Sequence, residues 1–347
     1  MEAKSVAVVD VFCGVGGLTH GFVKENFNVV AGIDSDASCK FAYEANNNSK
    51  FINKPIQETS SEELKTLYPK NAIKVLVGCA PCQPFSTYNI KKRRDDKWGL
   101  LYEFSRLIEE VKPEIVSMEN VPQLMRAKVF HDFVQNLEAL DYHVTYSTVN
   151  AMHYGVPQTR KRLVLLASKL GELELIAPTH KNPKTVRQAI CKLEKISDGE
   201  TSPKDKLHRS RKLSQLNKKR IVATPMGGGW RDWDKTLVLS CHKKKGGKSF
   251  GSVYGRMNWD GASPTITTQC IGLGNGRFGH PEQDRAISLR EAAILQSFPK
   301  SYKFIDPKDK YMITRLARHI GNAVPVKLGR AIAKTVRAHI GGVNYGG

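Results

Sequence analysis

Short apolar runs recur through the first half of the chain, separated by stretches in which apolar and polar residues alternate at helical spacing. Residues 6–12, 29–33, 75–77, 115–118 and 163–167 read as strands, with a further one over 144–149. Between two of them, Leu101, Phe104, Ser105 and Ile108 fall on one face of a helix over 100–111. Strands alternating with helices predict a parallel sheet with helices on its faces, an α/β fold.

After residue 178 the pattern changes. Residues 180–275 are rich in Gly, Ser and Thr and lose helical periodicity after about Leu216. Gly227-Gly228-Gly229-Trp230 and the lysine-rich stretch 243–248 read as exposed loops. Helical patterning returns at Ser288, where Glu291 three residues on completes a capping-box spacing. A last helix opens at Pro325, a favoured first-turn residue, and carries Leu328, Ile332, Val336 and Ile340 as an apolar stripe fit to pack on a sheet. The expected organisation is a larger domain over 1–179, a smaller irregular one over 180–284, a hinge over 285–314 and a return to the first domain over 315–347.

Charge sharpens this division. The chain of 347 residues carries a net charge of +21, which points to a polyanionic partner. Residues 181–260 hold 20 Lys and Arg against 7 Asp and Glu, so the excess is concentrated in the irregular domain, and nucleic acid is the expected partner. No apolar run approaches the roughly 18 residues a membrane span needs. The strand pattern begins too near the N-terminus for a signal peptide, so a cytoplasmic protein is expected. Seven cysteines, an odd number, argue for free thiols.

Cys79-Ala80-Pro81-Cys82 is formally a C-x-x-C, yet a zinc site would want a second Cys/His pair nearby, and no metal is expected. A redox pair would open a helix directly, whereas Pro84 and the polar stretch 86–97 read as a loop. Cys82 instead stands just past the carboxyl end of the 75–77 strand, where open α/β sheets collect ligands and reacting groups. Pro81 and Pro84 hold its thiol in a rigid turn. Glu119 leaves the end of another strand, so thiol and acid face one cleft, a pairing suited to attacking and protonating an electron-poor ring. Arg160 and Arg162 alternate in an extended segment and can point together, toward a reacting group or toward phosphate. The loop Asp10–Gly17 leads from the first strand into a helix, and Asp34 closes the second strand. Together they suggest a Rossmann-like adenosine site, without separating a dinucleotide from S-adenosylmethionine.

The order of these motifs resembles the DNA cytosine-5 methyltransferases. Phe12–Gly17, Pro81–Gln83, Glu119–Val121, Gln158–Arg162, Arg290–Pro299 and Gly321–Pro325 stand in that family's sequence and bracket nearly the whole chain. The resemblance implies a Rossmann-like methyltransferase fold with a target-recognition domain, S-adenosyl-L-methionine as cofactor and double-stranded DNA as substrate. It implies that Cys82 adds to carbon 6 of a flipped-out cytosine, that Glu119 binds ring nitrogen 3 and the amino group, and that Arg162 with Arg160 holds the ring carbonyl. Phe12, Gly14, Gly16, Gly17, Asp34, Asn322 and Val324 are the implied cofactor contacts. Gln83, Ser86, Arg93, Arg94, Arg231 and Arg256 are the expected DNA contacts. One departure is visible: where the family often carries an acid near the adenine, this chain reads Lys54-Pro55-Ile56-Gln57. A monomer of the restriction-modification type is expected, with a cognate endonuclease as functional partner. A transfer-RNA cytosine-5 methyltransferase and a non-catalytic DNA-binding homologue are the alternatives.

Overall fold

The computed structural model describes residues 5–81 and 99–342. They divide into two compact units: Met1–Tyr154, Lys161–Thr179 and Val324–Gly347 form unit 1, and Gly155–Arg160 with His180–Ala323 form unit 2.

Unit 1 is built on a sheet of seven strands: β1 (Val6–Val11), β2 (Asn28–Asp34), β3 (Lys50–Asn53), β4 (Ile73–Gly78), β5 (Ile115–Asn120), β6 (His143–Asn150) and β7 (Lys161–Ser168). Their order is β3-β2-β1-β4-β5-β7-β6. β1 to β5 pair in parallel, and β7 runs antiparallel between β5 and β6. The expectation of an all-parallel sheet is corrected at β7. Only ten residues separate Asn150 from Lys161, fewer than a crossover to a parallel neighbour requires. β3 escaped the sequence reading because four residues show too little of any period.

The period of two decides which face each side chain serves. Ala7, Val9 and Val11 of β1 and Leu76 of β4 join one layer, with Phe104, Leu107 and Ile108 of the helix Gly99–Val111 and Phe130 and Phe133 of the helix Lys128–Ala139. Val8, Val75 and Val77 join the opposite layer, against Leu18 and Phe22 of the helix Gly17–Lys24 and Leu328, Ile332 and Val336 of the helix Val326–Gly342. The apolar stripe of the last helix thus lies on the sheet, as its spacing foretold. It meets the helix Gly17–Lys24 almost backbone to backbone: a Cβ on Gly21 would fall 2.5 Å from the Gly329 carbonyl carbon.

Unit 2 has sparser regular structure. It holds the helices Val186–Ile190, Gln215–Val222, Ser240–Lys243, Leu289–Leu295 and Ile313–Asn322, and a hairpin of β8 (Thr201–Ser202) and β9 (Asp205–Arg209). Ser288 and Glu291 form the expected capping box. Two expectations fail here. The segment beyond Leu216 stays helical to Val222, although its buried residues are only Arg220 and Ile221, too few to show a period. Trp230 is buried, its Nε1 donating to the Phe250 carbonyl at 2.8 Å and its ring lying on His242.

Candidate active site

Every residue of β5 is buried, and its carboxyl end delivers Glu119 with 2% of its surface exposed. The antiparallel register sets Leu163 opposite Asn120, which brings Arg162 beside that end. Arg162 Nε lies 3.0 Å from Glu119 Oε1 as an ion pair, without the alignment of a hydrogen bond. Glu119 Oε2 accepts the thiol hydrogen of Cys79 at 2.9 Å. Cys79 directly follows β4, so two neighbouring parallel strands bring it to the same edge. Asn120 fixes the arrangement: its Nδ2 donates to the Ala80 carbonyl at 3.0 Å and its Oδ1 accepts from the Val121 amide at 2.9 Å. A buried carboxylate is costly unless compensated. Among the described residues Arg162 is the cation that compensates it, and Oε1 has no hydrogen-bond donor there.

The order of strands reverses between β1 and β4, and the glycine-rich loop leaves β1 at this switch point. Phe12, Gly14 and Gly16 take φ of 61°, 50° and 81°, a left-handed path that brings the loop directly into the helix Gly17–Lys24. A Cβ on Gly14 would meet no protein atom within 4 Å, so open space lies over the loop there. Asp34, at the end of β2, accepts the Gly14 amide on Oδ2 at 2.8 Å and the Asp36 amide on Oδ1 at 2.9 Å. The loop and the carboxylate are therefore locked together. Beneath them Asp10 is buried and accepts from Thr19 Oγ1 at 2.6 Å. Burial pushes the Asp10 carboxyl up to about 7. At the departure from the family pattern, Lys54 pairs with Glu63, Ile56 is buried and Gln57 is exposed.

The other expected residues fall in several places. Cys82, Gln83, Ser86, Arg93 and Arg94 lie outside the described residues. Val324 is buried in the unit 1 core beside Val75 and Val77, and Asn322 is exposed at the end of a unit 2 helix. Arg160 is buried in unit 2, where Nη1 donates to the Ile266 carbonyl at 2.9 Å and Nη2 to those of Gly321 and Ala323. The pairing of Arg160 with Arg162 is therefore corrected. Arg160 precedes β7 and binds backbone, and of these two arginines it is Arg162 that meets the carboxylate. Arg256, expected on DNA, is corrected as well. It is buried, donates to the carbonyls of Ile221, Thr224, His280 and Gln283, and pairs with Asp284, so its guanidinium is fully engaged inside unit 2. Arg231 is exposed, lies over the Trp230 ring and donates to the Lys248 carbonyl.

Two residues of the site went unread in the sequence. Asn120 stood inside a motif without a role, and Cys79 was weighed only as half of a C-x-x-C. The signal for both was their position at strand ends adjoining Glu119.

The family model for C-5 cytosine-specific DNA methylases matches residues 6–338. A type II methylase of Herpetosiphon aurantiacus, M.HgiDII, is 54% identical over 343 residues, covering 97% of both chains. The type II methyltransferase M1.BsuMI of Bacillus subtilis is 30% identical over 362 residues, covering 96% of this chain and 81% of that one. Among solved structures, a candidate DNA modification methyltransferase encoded in an E. coli prophage superposes with a TM-score of 0.75 at 23% identity, covering 97% of this chain and 100% of that one. That likeness shows the shared fold.

Proposed function

The chain belongs to the C-5 cytosine-specific DNA methylase family, and on that premise we propose that it methylates carbon 5 of a flipped-out cytosine in one sequence context of duplex DNA, through a covalent bond to Cys82. The observation that carries this reading is Glu119: a buried carboxylate at a strand's carboxyl end, ion-paired with Arg162, with one oxygen lacking a hydrogen-bond donor among the described residues.

The groups at the cofactor loop suit S-adenosyl-L-methionine. Open space over Gly14 admits a ligand close to the backbone. Asp34, at the end of β2 beside this loop, is a carboxylate of the kind that accepts from ribose hydroxyls. When bound, the cofactor supplies an electrophilic methyl group. Gly14, Gly16 and Gly17 would line its approach, Phe12 would flank its adenine side, and Asn322 and Val324 would belong to the returning segment.

The chain's own residues do the rest. Carbon 5 of cytosine is too weak a nucleophile to take a methyl group unaided, and the aromatic ring does not accept a nucleophile cheaply. Taken out of the duplex, it is read by its Watson–Crick edge. The Cys82 thiolate adds to carbon 6, and Glu119 gives a proton to nitrogen 3 as the ring loses aromaticity, while its other oxygen accepts from the amino group. Arg162, beside it, stabilises charge on the ring carbonyl. Carbon 5 then takes the methyl group. A base removes the carbon 5 proton, the Cys82 sulfur leaves carbon 6 as thiolate, and nitrogen 3 returns its proton to Glu119 as the ring regains aromaticity. The basic unit 2 selects the target sequence.

A transfer-RNA substrate is the weaker reading, since the relative at 54% identity is named a type II methylase. Bisulfite sequencing of plasmid DNA from cells expressing the chain, beside Cys82→Ala, tests the proposal. Protected cytosines in one fixed context, lost in the variant, are expected; full conversion in both samples would overturn it.

A further inference from the structure

Glu119 is asked to be an acid and an acceptor in one turnover, and the structure gives its two oxygens different neighbours. Oε1 faces the Arg162 guanidinium at 3.0 Å, and Oε2 faces the Cys79 thiol at 2.9 Å. A cation beside Oε1 disfavours a proton there, so the neutral acid carries its hydrogen on Oε2, the oxygen against Cys79. A second cation at that place would hold the group as a carboxylate and defeat its use as an acid. An aliphatic side chain would leave a buried oxygen without this partner, at a cost. A thiol avoids both. It donates S–H to a carboxylate oxygen and accepts O–H from a carboxylic acid, weakly in each case. The tie of Asn120 to Ala80 holds the backbone next to Cys79 against the end of β5, so the contact is built into the strand ends.

We propose that Cys79 is a positioning residue that holds Glu119 in one orientation at the end of β5, before and after Glu119 passes its proton. The inference rests on the reading of Glu119 given above. Neither a zinc ligand nor a redox partner is needed to account for the cysteine.

The test uses the full chain with Cys79→Ala, Cys79→Ser and Glu119→Gln, measuring kcat, cofactor KM and thermal unfolding with cofactor bound. Cys79→Ala is expected to lower kcat about five- to tenfold, the weight of one modest hydrogen bond, with cofactor KM within about twofold. In Cys79→Ser the hydroxyl donor restores the rate. A Cys79→Ala enzyme with wild-type kcat overturns the proposal. So does a Cys79→Ser enzyme that is stable yet as slow as Cys79→Ala. If Cys79→Ala does not fold, a Cys79→Ser enzyme that folds yet falls as far below the wild-type kcat is decisive against it. Full activity in Glu119→Gln would instead bring down the parent reading. An inactive Glu119→Gln beside a wild-type Cys79→Ala would remove Cys79 alone.

Discussion

The two units bury charge in opposite ways. Unit 1 hides carboxylates, Asp10 and Glu119, each near the carboxyl end of a strand. Unit 2 hides arginines: all five buried arginines among the described residues, Arg160, Arg220, Arg256, Arg285 and Arg290, belong to it. The difference follows from how each unit satisfies its backbone. A seven-stranded sheet pairs its own amides and carbonyls, so its interior is apolar and a buried acid is free for chemistry. Unit 2 lacks such a ladder and its carbonyls still need donors. Arg256 supplies four of them, Arg160 three, and Gln296 reaches Ile320, Gly321 and Ala323. Arg285 donates to Ile196 and Ala286 and closes a buried pair with Glu291, where burial is outweighed by the guanidinium and the carboxyl is held down to about 2. In unit 2, buried arginine is framework.

The strongest way to break this comparison is Arg256→Ala. Four buried carbonyls and Asp284 would lose their donor, and a loss of about 3–5 kcal/mol is expected from urea unfolding. Arg231→Ala, at an exposed residue, is expected to change stability by less than about 0.5 kcal/mol. Equal effects at the two positions would show that the buried arginines are not framework.

The same contrast explains what the sequence disclosed. In unit 1, a period of two along β1 and β4 and of about four along Leu328, Ile332 and Val336 marks which side chains face the core, because regular elements write their packing into spacing. The Ser288–Glu291 cap was legible for the same reason, as a fixed local offset. Arg256 was not, since its partners Ile221, Thr224 and His280 come from distant segments and only the folded chain assembles them. Trp230 looked exposed beside three glycines, yet its stacking with His242 depends on a turn twelve residues on. At the site, Glu119 stood out by type and place. Cys79 did not, because it was weighed only within the C-x-x-C.

Unit 1 makes its own prediction through Asp10. Burial raises its carboxyl to about 7 in the folded chain, against about 4 when unfolded. Between those values the folded state binds the extra proton, so the contribution of Asp10 to stability is fullest below about pH 4 and is lost as pH rises through 7. Asp10→Asn is neutral throughout and removes that slope. Urea midpoints at pH 5 and pH 8 are expected to draw apart in the wild type, with up to roughly 3 kcal/mol at stake over the whole interval, and to come together in the variant. Equal slopes in the two proteins would mean that Asp10 is ionised in the folded state.

The smallest expected effect bears on the surface of unit 2, where framework and DNA contact must be told apart. Lys243, Lys244 and Lys245 are exposed and follow His242, whose ring is anchored on Trp230. None of the three is drawn into a buried carbonyl, so their charge faces solvent. Each lysine that meets a phosphate releases a counterion on binding, and its removal lowers the steepness of log K against log salt by about one. The triple alanine variant is therefore expected to bind duplex DNA more weakly at low salt, with a slope shallower by up to about three and an unchanged unfolding midpoint. Affinity that falls with its salt slope intact would place the phosphate contacts on other residues. A lowered unfolding midpoint would put these lysines with Arg256, inside the framework of the unit, and would erase the distinction between its buried and its exposed charge.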